Sequence, residues 1–174
     1  LLKTTSVDEG TSKFKYRKDG QIRFSQNSEQ AKKLEFSYTN YDNLGRPIES
    51  GVYQGTDITF DYYDLDPEDA IPPSTLVDAI VDLADGIPSD GKREQNFSVY
   101  DEPDTALLTK LQQCGLPSPE YKQSFLESNV SYTYTQNPTT NKTWYSYDIY
   151  GRVTWMVQEV AGLSCLKTIH YTYD

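Results

Sequence analysis

Tyr147-Asp148-Ile149-Tyr150-Gly151-Arg152-Val153 carries the strongest structural instruction in the chain. Two free positions followed by glycine make a three-residue hairpin loop. In such a loop a type I turn ends in a residue with positive φ, which glycine adopts without steric penalty. Asp148 and Arg152 flank the loop and face each other as an opposite-charge cross-strand pair, worth about 0.2–1 kcal/mol. Continuing outward at regular register, Tyr147 pairs with Val153 and Tyr145 with Trp155. This register sends Trp144 and Trp155 to opposite faces, so that one of them is expected to be exposed unless another layer covers it.

The same frame occurs twice more. Tyr41-Asp42-Asn43-Leu44-Gly45-Arg46-Pro47 repeats it with the Asp–Arg pair intact. Tyr16-Arg17-Lys18-Asp19-Gly20-Gln21-Ile22 keeps the tyrosine and glycine but sets Arg17 opposite Gln21, so the charge pair is expected to be lost there. Its register predicts Tyr16 opposite Ile22 and Phe14 opposite Phe24. Tyr-Asp dipeptides stand at Tyr41, Tyr63, Tyr100, Tyr147 and Tyr173, where 15 Tyr and 16 Asp in 174 residues would give about 1.4 by chance. Tyr16 to Tyr41 is 25 residues and Tyr147 to Tyr173 is 26. The chain stops at Asp174, before a glycine of the last copy, which reads as a repeat cut in half and the chain as a piece of a longer protein.

Residues 54–127 leave the frame. Tyr63-Asp64 and Tyr100-Asp101 lack the glycine and are followed by Pro67 and Pro103. After each comes a helix-like stretch. Thr75 can cap the first, whose stripe is Leu76, Val77, Ile80, Leu83 and Ala84, stopped by Gly86 and Pro88. Asp104 can cap the second, Thr105–Cys114, with Leu107, Leu108 and Leu111 as its stripe, ended by Gly115 and Pro117. Two tight turns are thus expected to be replaced by helical insertions that cover a face or an edge of the sheet.

Composition narrows the function classes. Aromatic residues make up 13% of the chain, too many for simple disorder, and tyrosine suits a half-buried sheet surface. A formal net charge of −10 repels phosphate backbones and anionic lipid, so neither nucleic acid nor a membrane is an expected partner. No apolar run reaches the roughly 18 residues of a membrane helix. His170 is the single histidine, in a strand-like setting, so Ser-His-Asp and Cys-His catalysis would have to run through it and sites with two histidines are excluded in this chain. Cys114 and Cys165 permit one disulfide or two free thiols. The acidic segment 61–69 lacks the glycine and terminal glutamate of an EF-hand loop and reads as solvated. Asn96, Asn129 and Asn141 head Asn-x-Ser/Thr sequons, relevant only to a eukaryotic secretory route.

On the three frames, and above all Tyr147-Asp148-x-x-Gly151-Arg152-Val153, the chain resembles the YD repeat of bacterial Rhs-type proteins. That family also includes the shell components of insecticidal toxin complexes, bacterial wall-associated proteins and the animal teneurins. The resemblance covers residues 12–53 and 128–174. It implies a long secreted or cell-surface protein in which successive hairpins form one continuous sheet. In some members the sheet spirals into a shell around a toxic C-terminal polypeptide, and in others it serves adhesion or carbohydrate contact. The core-closing segment and the toxin domain of Rhs proteins are missing from this sequence, and no catalytic residue of the family maps onto it.

The expected fold is mainly β: antiparallel β-hairpin repeats forming one extended, curved sheet with two short helical insertions in the middle. The expected division is 1–53 hairpin repeats, 54–127 a degenerate region with the insertions, and 128–174 hairpin repeats, as one continuous unit. The repeat-defining residues are Tyr16, Gly20, Tyr41, Asp42, Gly45, Arg46, Tyr147, Asp148, Gly151, Arg152, Tyr173 and Asp174. No catalytic, cofactor-binding or metal-binding residue is assigned, and no cofactor is expected. The expected function is a non-enzymatic scaffold or shell segment of a bacterial secreted or surface protein, whose partners are neighbouring repeats and an enclosed C-terminal polypeptide or carbohydrate. Two alternatives stand beside it: a carbohydrate-binding or adhesion module that uses Trp144 and Trp155, and a glycoside hydrolase built on paired carboxylates.

Overall fold

The computed structural model describes residues 2–6, 10–17, 19–56, 60, 87, 89–116, 118–136 and 139–174. Ten strands follow one another in chain order as neighbours in one antiparallel sheet that is not closed: β1 (Leu2–Ser6), β2 (Gly10–Tyr16), β3 (Ile22–Gln26), β4 (Glu35–Tyr41), β5 (Pro47–Gln54), β6 (Lys92–Tyr100), β7 (Val130–Gln136), β8 (Lys142–Tyr147), β9 (Val153–Glu159) and β10 (Lys167–His170). A five-residue helix, α1 (Ser28–Lys32), joins β3 to β4, and α2 (Ala106–Gln113) lies between β6 and β7. The mainly β, hairpin-built fold expected from the frame is what forms. The chain divides into two compact units, Leu1–Gln95 and Asn96–Asp174.

In the first unit the apolar residues alternate along β4, whose Phe36, Tyr38 and Asn40 are buried. Phe24, Phe36, Tyr38, Tyr53, Phe60 and Ile87 form its core. Phe36 stands edge-on to Phe24, with ring centroids 5.4 Å apart, and packs on Tyr53 at 5.3 Å. Such aromatic contacts add about 0.5–1.5 kcal/mol each beyond the area they bury. α1 is held by a reciprocal cap, in which the Asn27 side chain accepts from the Gln30 N–H and the Gln30 side chain accepts from the Asn27 N–H.

In the second unit α2 covers one face of β8 and β9. Leu107 and Leu111 from α2 join Tyr121, Trp144, Trp155, Val157 and Leu166 in one core. Asp104 caps the helix as expected, its carboxylate accepting from the Ala106 N–H at 3.0 Å. Gly115, at φ +67°, ends it: the Leu116 N–H reaches the Leu111 carbonyl and the Gly115 N–H reaches that of Gln112, both at 3.0 Å. Leu108, expected on the apolar stripe, is exposed. The stripe narrows to residues four apart because the helix rests on the sheet along one line. The other expected helix, Thr75 to Ala84, lies outside the described residues, as do Tyr63-Asp64 and the acidic segment 61–69.

The register beyond each turn differs from the expectation. Tyr16 pairs with Ile22, Tyr41 with Pro47 and Tyr147 with Val153, but the next pairs are Lys15 with Phe24, Asn40 with Glu49 and Ser146 with Trp155. Each returning strand therefore carries one extra residue, at Arg23, Ile48 and Thr154. This is a β-bulge at the same place in all three hairpins. A one-residue shift exchanges faces. Phe24 thus sits opposite Lys15 rather than Phe14, and Trp155 opposite Ser146 rather than Tyr145. Trp144 and Trp155 consequently share a face and are both buried, at 0% and 5% exposure. Neither tryptophan of this hairpin is exposed, unlike the one that the regular register would leave open.

Candidate functional site

The residues singled out in the sequence converge on the hairpin turns, and each turn is built the same way. In the second frame the Asp42 N–H donates to the Arg46 carbonyl at 2.9 Å and the Gly45 N–H to the Asp42 carbonyl at 3.0 Å. One carboxylate oxygen of Asp42 accepts from the N–H groups of Leu44 and Arg46, and the other accepts from the Arg46 Nε at 2.6 Å. Asp148 repeats all of this, with Tyr150 and Arg152 supplying the N–H groups and Arg152 Nε at 2.7 Å. Gly20, Gly45 and Gly151 have φ of +86°, +78° and +76°, as the loop requires.

In the first frame Arg17 faces Gln21, so the cross-strand charge pair is absent as expected, but Arg17 finds another carboxylate within the turn. Asp19, inside the loop, accepts from the Gln21 N–H at 3.1 Å and pairs with Arg17 Nη2 at 2.9 Å. The carboxylate has moved two places along the turn and kept both of its tasks.

Successive repeats are tied by their tyrosines. The Tyr41 hydroxyl donates to the Ile22 carbonyl at 2.7 Å, and the Tyr173 hydroxyl to the Val153 carbonyl at 2.8 Å. Ile22 and Val153 occupy the same frame position, so each tyrosine reaches the preceding hairpin at an equivalent atom. Tyr147 makes the same bond to Val130, at 2.8 Å. Val130 opens the strand that returns from Tyr100-Asp101, and the 101–129 insertion is closed at its neck as the tight turns are, by the Asp101 N–H on the Asn129 carbonyl at 3.2 Å. The second insertion thus replaces a turn of the frame. Burial pushes the pKa of Tyr41 and of Tyr147 up, which keeps these phenols protonated and donating.

Arginine completes the link. The Arg17 guanidinium lies 4.7 Å from the ring centre of Tyr41, and that of Arg152 lies 4.4 Å from the ring centre of Tyr173. The arginine comes from opposite sides of the turn in the two frames, yet it covers the tyrosine of the following repeat in both. Tyr16 holds the matching place at the end of β2, and Asp174 is exposed.

Two polar clusters support the units and were not legible as sites. In the first unit, Glu49 accepts from Tyr38 at 2.8 Å, Asn40 at 2.8 Å, Gln95 at 3.0 Å and Lys92 at 3.2 Å. Burial works to raise its pKa, but these donors overcome that and hold it below the usual range. In the second, Asp104 accepts from Trp144 Nε1 at 2.7 Å and from Lys142, while Gln123 accepts from the Asp104 N–H and donates to the Ser131 and Tyr145 carbonyls. These contacts are long-range, so the only sequence signal for them is the presence of carboxylates within strand or cap positions.

Chemically, the carboxylates of the turns and clusters are saturated with donors. Burial opposes ionisation of Asp42, Asp104 and Asp148, yet their N–H and cationic partners hold all three below the ordinary range. A carboxylate held this way is a weak base and a good structural acceptor. His170 contacts the Tyr121 hydroxyl at 3.0 Å. Among the described residues no three His, Cys, Asp or Glu side chains gather to hold a metal ion, and no helix is long and apolar enough to cross a membrane. No protein-family model matches the chain, and no curated protein matches its sequence.

Proposed function

We propose that this chain is a non-enzymatic structural segment of a YD-repeat protein of the Rhs type, building part of a β-sheet scaffold or shell on a secreted or cell-surface protein. The observation that carries this reading is the recurring link between repeats: a tyrosine hydroxyl on the preceding hairpin's carbonyl, with an arginine from the preceding turn stacked on that tyrosine's ring. A contact that recurs at equivalent atoms adds one hairpin to the next by the same rule, which is how a solenoid-like scaffold grows. The polar groups at the turns are engaged in holding the turns. The partners under this reading are neighbouring repeats of the same protein, with an enclosed polypeptide as cargo.

Electron cryo-microscopy of the longest natural polypeptide that carries this sequence tests the reading. The expected map shows further Tyr-Asp hairpins hydrogen-bonded beyond β10, and surface proteolysis of intact producing cells, or analysis of their medium, recovers peptides of this chain. A map in which residues 1–174 stand apart from any such hairpins, with the chain confined to the cytoplasm, contradicts it.

A further inference from the structure

The second unit brings its two cysteines together, and neither takes part in the hairpin links. Cys114 caps the C-terminal end of α2, and Cys165 is exposed in the connection between β9 and β10. Both backbones are anchored. Gly115 and Leu116 close the helix end with hydrogen bonds, and Leu166 is buried against Leu107 and Leu111. The Leu166 N–H donates to Cys114 Sγ at 3.4 Å, which fixes the residue before it, Cys165, beside that sulfur. The two thiols line one surface cavity of about 140 Å³ with Lys110, Glu159 and Leu163, so a small thiol reagent has a way in.

We propose that Cys114 and Cys165 are a reversible dithiol/disulfide pair that fastens the end of α2 to the β9–β10 connection. This inference rests on the geometry of the second unit and not on the scaffold reading. A disulfide needs its sulfurs about 2.0 Å apart, and the Leu166 N–H on Cys114 Sγ holds the Cys165–Leu166 peptide against that sulfur. The oxidant is a disulfide of the glutathione class. The exposed Cys165 thiolate attacks one sulfur of glutathione disulfide, forms a mixed disulfide and expels one glutathione thiolate. Cys114 then attacks the Cys165 sulfur, forms the internal bond and expels the second glutathione. The protein loses two electrons and two thiol protons, and the glutathione disulfide is reduced to two thiols. The neighbouring Cys114 thiol pushes the Cys165 pKa up, so the first step speeds up as pH is raised above neutrality.

The test is incubation of the folded 174-residue chain with glutathione disulfide, followed by thiol titration and peptide mapping without reduction. The expected result is loss of both thiols, a monomer lighter by two hydrogen atoms, and one cross-linked peptide joining Cys114 to Cys165 that dithiothreitol releases. The Cys114→Ser variant keeps the exposed thiol and stops at the mixed disulfide on Cys165, without depending on any change in the fold. Persistence of both thiols, separate glutathione adducts on the two cysteines of the unchanged chain, or a Cys165-linked dimer overturns the proposal.

Discussion

At Gly151 the backbone holds φ at +76° with no atom within 4 Å of where a Cβ would sit, so the glycine is there for its conformation and not for space. Gly151→Ala isolates that conformational cost. It is expected to destabilise the second unit by about 1–2 kcal/mol, the penalty of the left-handed region for an L-residue, read as a lower urea midpoint at unchanged slope. Asp148 shows why the Tyr-Asp dipeptide was informative: one short side chain accepts two turn N–H groups and a guanidinium. That arrangement is local, within five residues, and so could be read from spacing alone. The Arg17–Asp19 pair is equally local but breaks the frame's order, so the frame's spacing does not reveal it. Glu49 was not legible, because its four donors come from two other strands, Tyr38 and Asn40 on β4 and Lys92 and Gln95 on β6. Glu49→Gln puts an amide where four donors converge and is expected to cost about 1–3 kcal/mol by the same measurement.

At the scale of the element, the bulge decides more than the turn does. β8 reads Trp144-Tyr145-Ser146-Tyr147 and β9 reads Val153-Thr154-Trp155-Met156-Val157, with large side chains on both faces of each strand. Alternation therefore could not choose between registers that differ by one residue, and the shifted one puts both tryptophans under α2. The same ambiguity holds around Phe14 and Phe24. The link between hairpins shows in the sequence only as a period of 25 or 26 residues, because the atoms that it joins lie on different strands. Tyr147→Phe removes the hydroxyl bond to Val130 and leaves the ring, with an expected loss of about 1 kcal/mol in urea unfolding. A double-mutant cycle on Arg152 and Tyr173, each to Ala, should give a favourable coupling of about 0.5–1 kcal/mol, the range for an exposed cation over an aromatic ring, and zero coupling would remove Arg152 from the link.

For the molecule as a whole, the lowered carboxylates make stability depend on pH in one direction. Glu49, Asp42 and Asp104 have folded-state pKa values below their ordinary 4.5, 3.8 and 3.8. A group depressed in the folded state stabilises it fully above its unfolded pKa and loses that contribution as pH falls through the folded value. Stability is thus expected to be flat from neutrality down to about pH 5 and to fall steeply below about pH 4. The Glu49→Gln variant should show a shallower fall for the first unit, and an equally steep one would contradict the assignment of that carboxylate. The hairpin-built β class was legible because turn chemistry, tyrosine period and strand composition agree. The division into two compact units at Gln95 was not, since it depends on which distant residues pack together and not on any linker composition.

The bulged Tyr-Asp hairpin underlies the fold, and cross-strand nuclear Overhauser contacts in the folded chain test it most directly. The expected spectrum shows close Cα–H contacts or cross-strand amide contacts that pair Ser146 with Trp155 and Tyr145 with Met156, with both indole rings near Leu107 and Leu111. Contacts that pair Tyr145 with Trp155, with one indole exposed to a soluble relaxation agent, would contradict it.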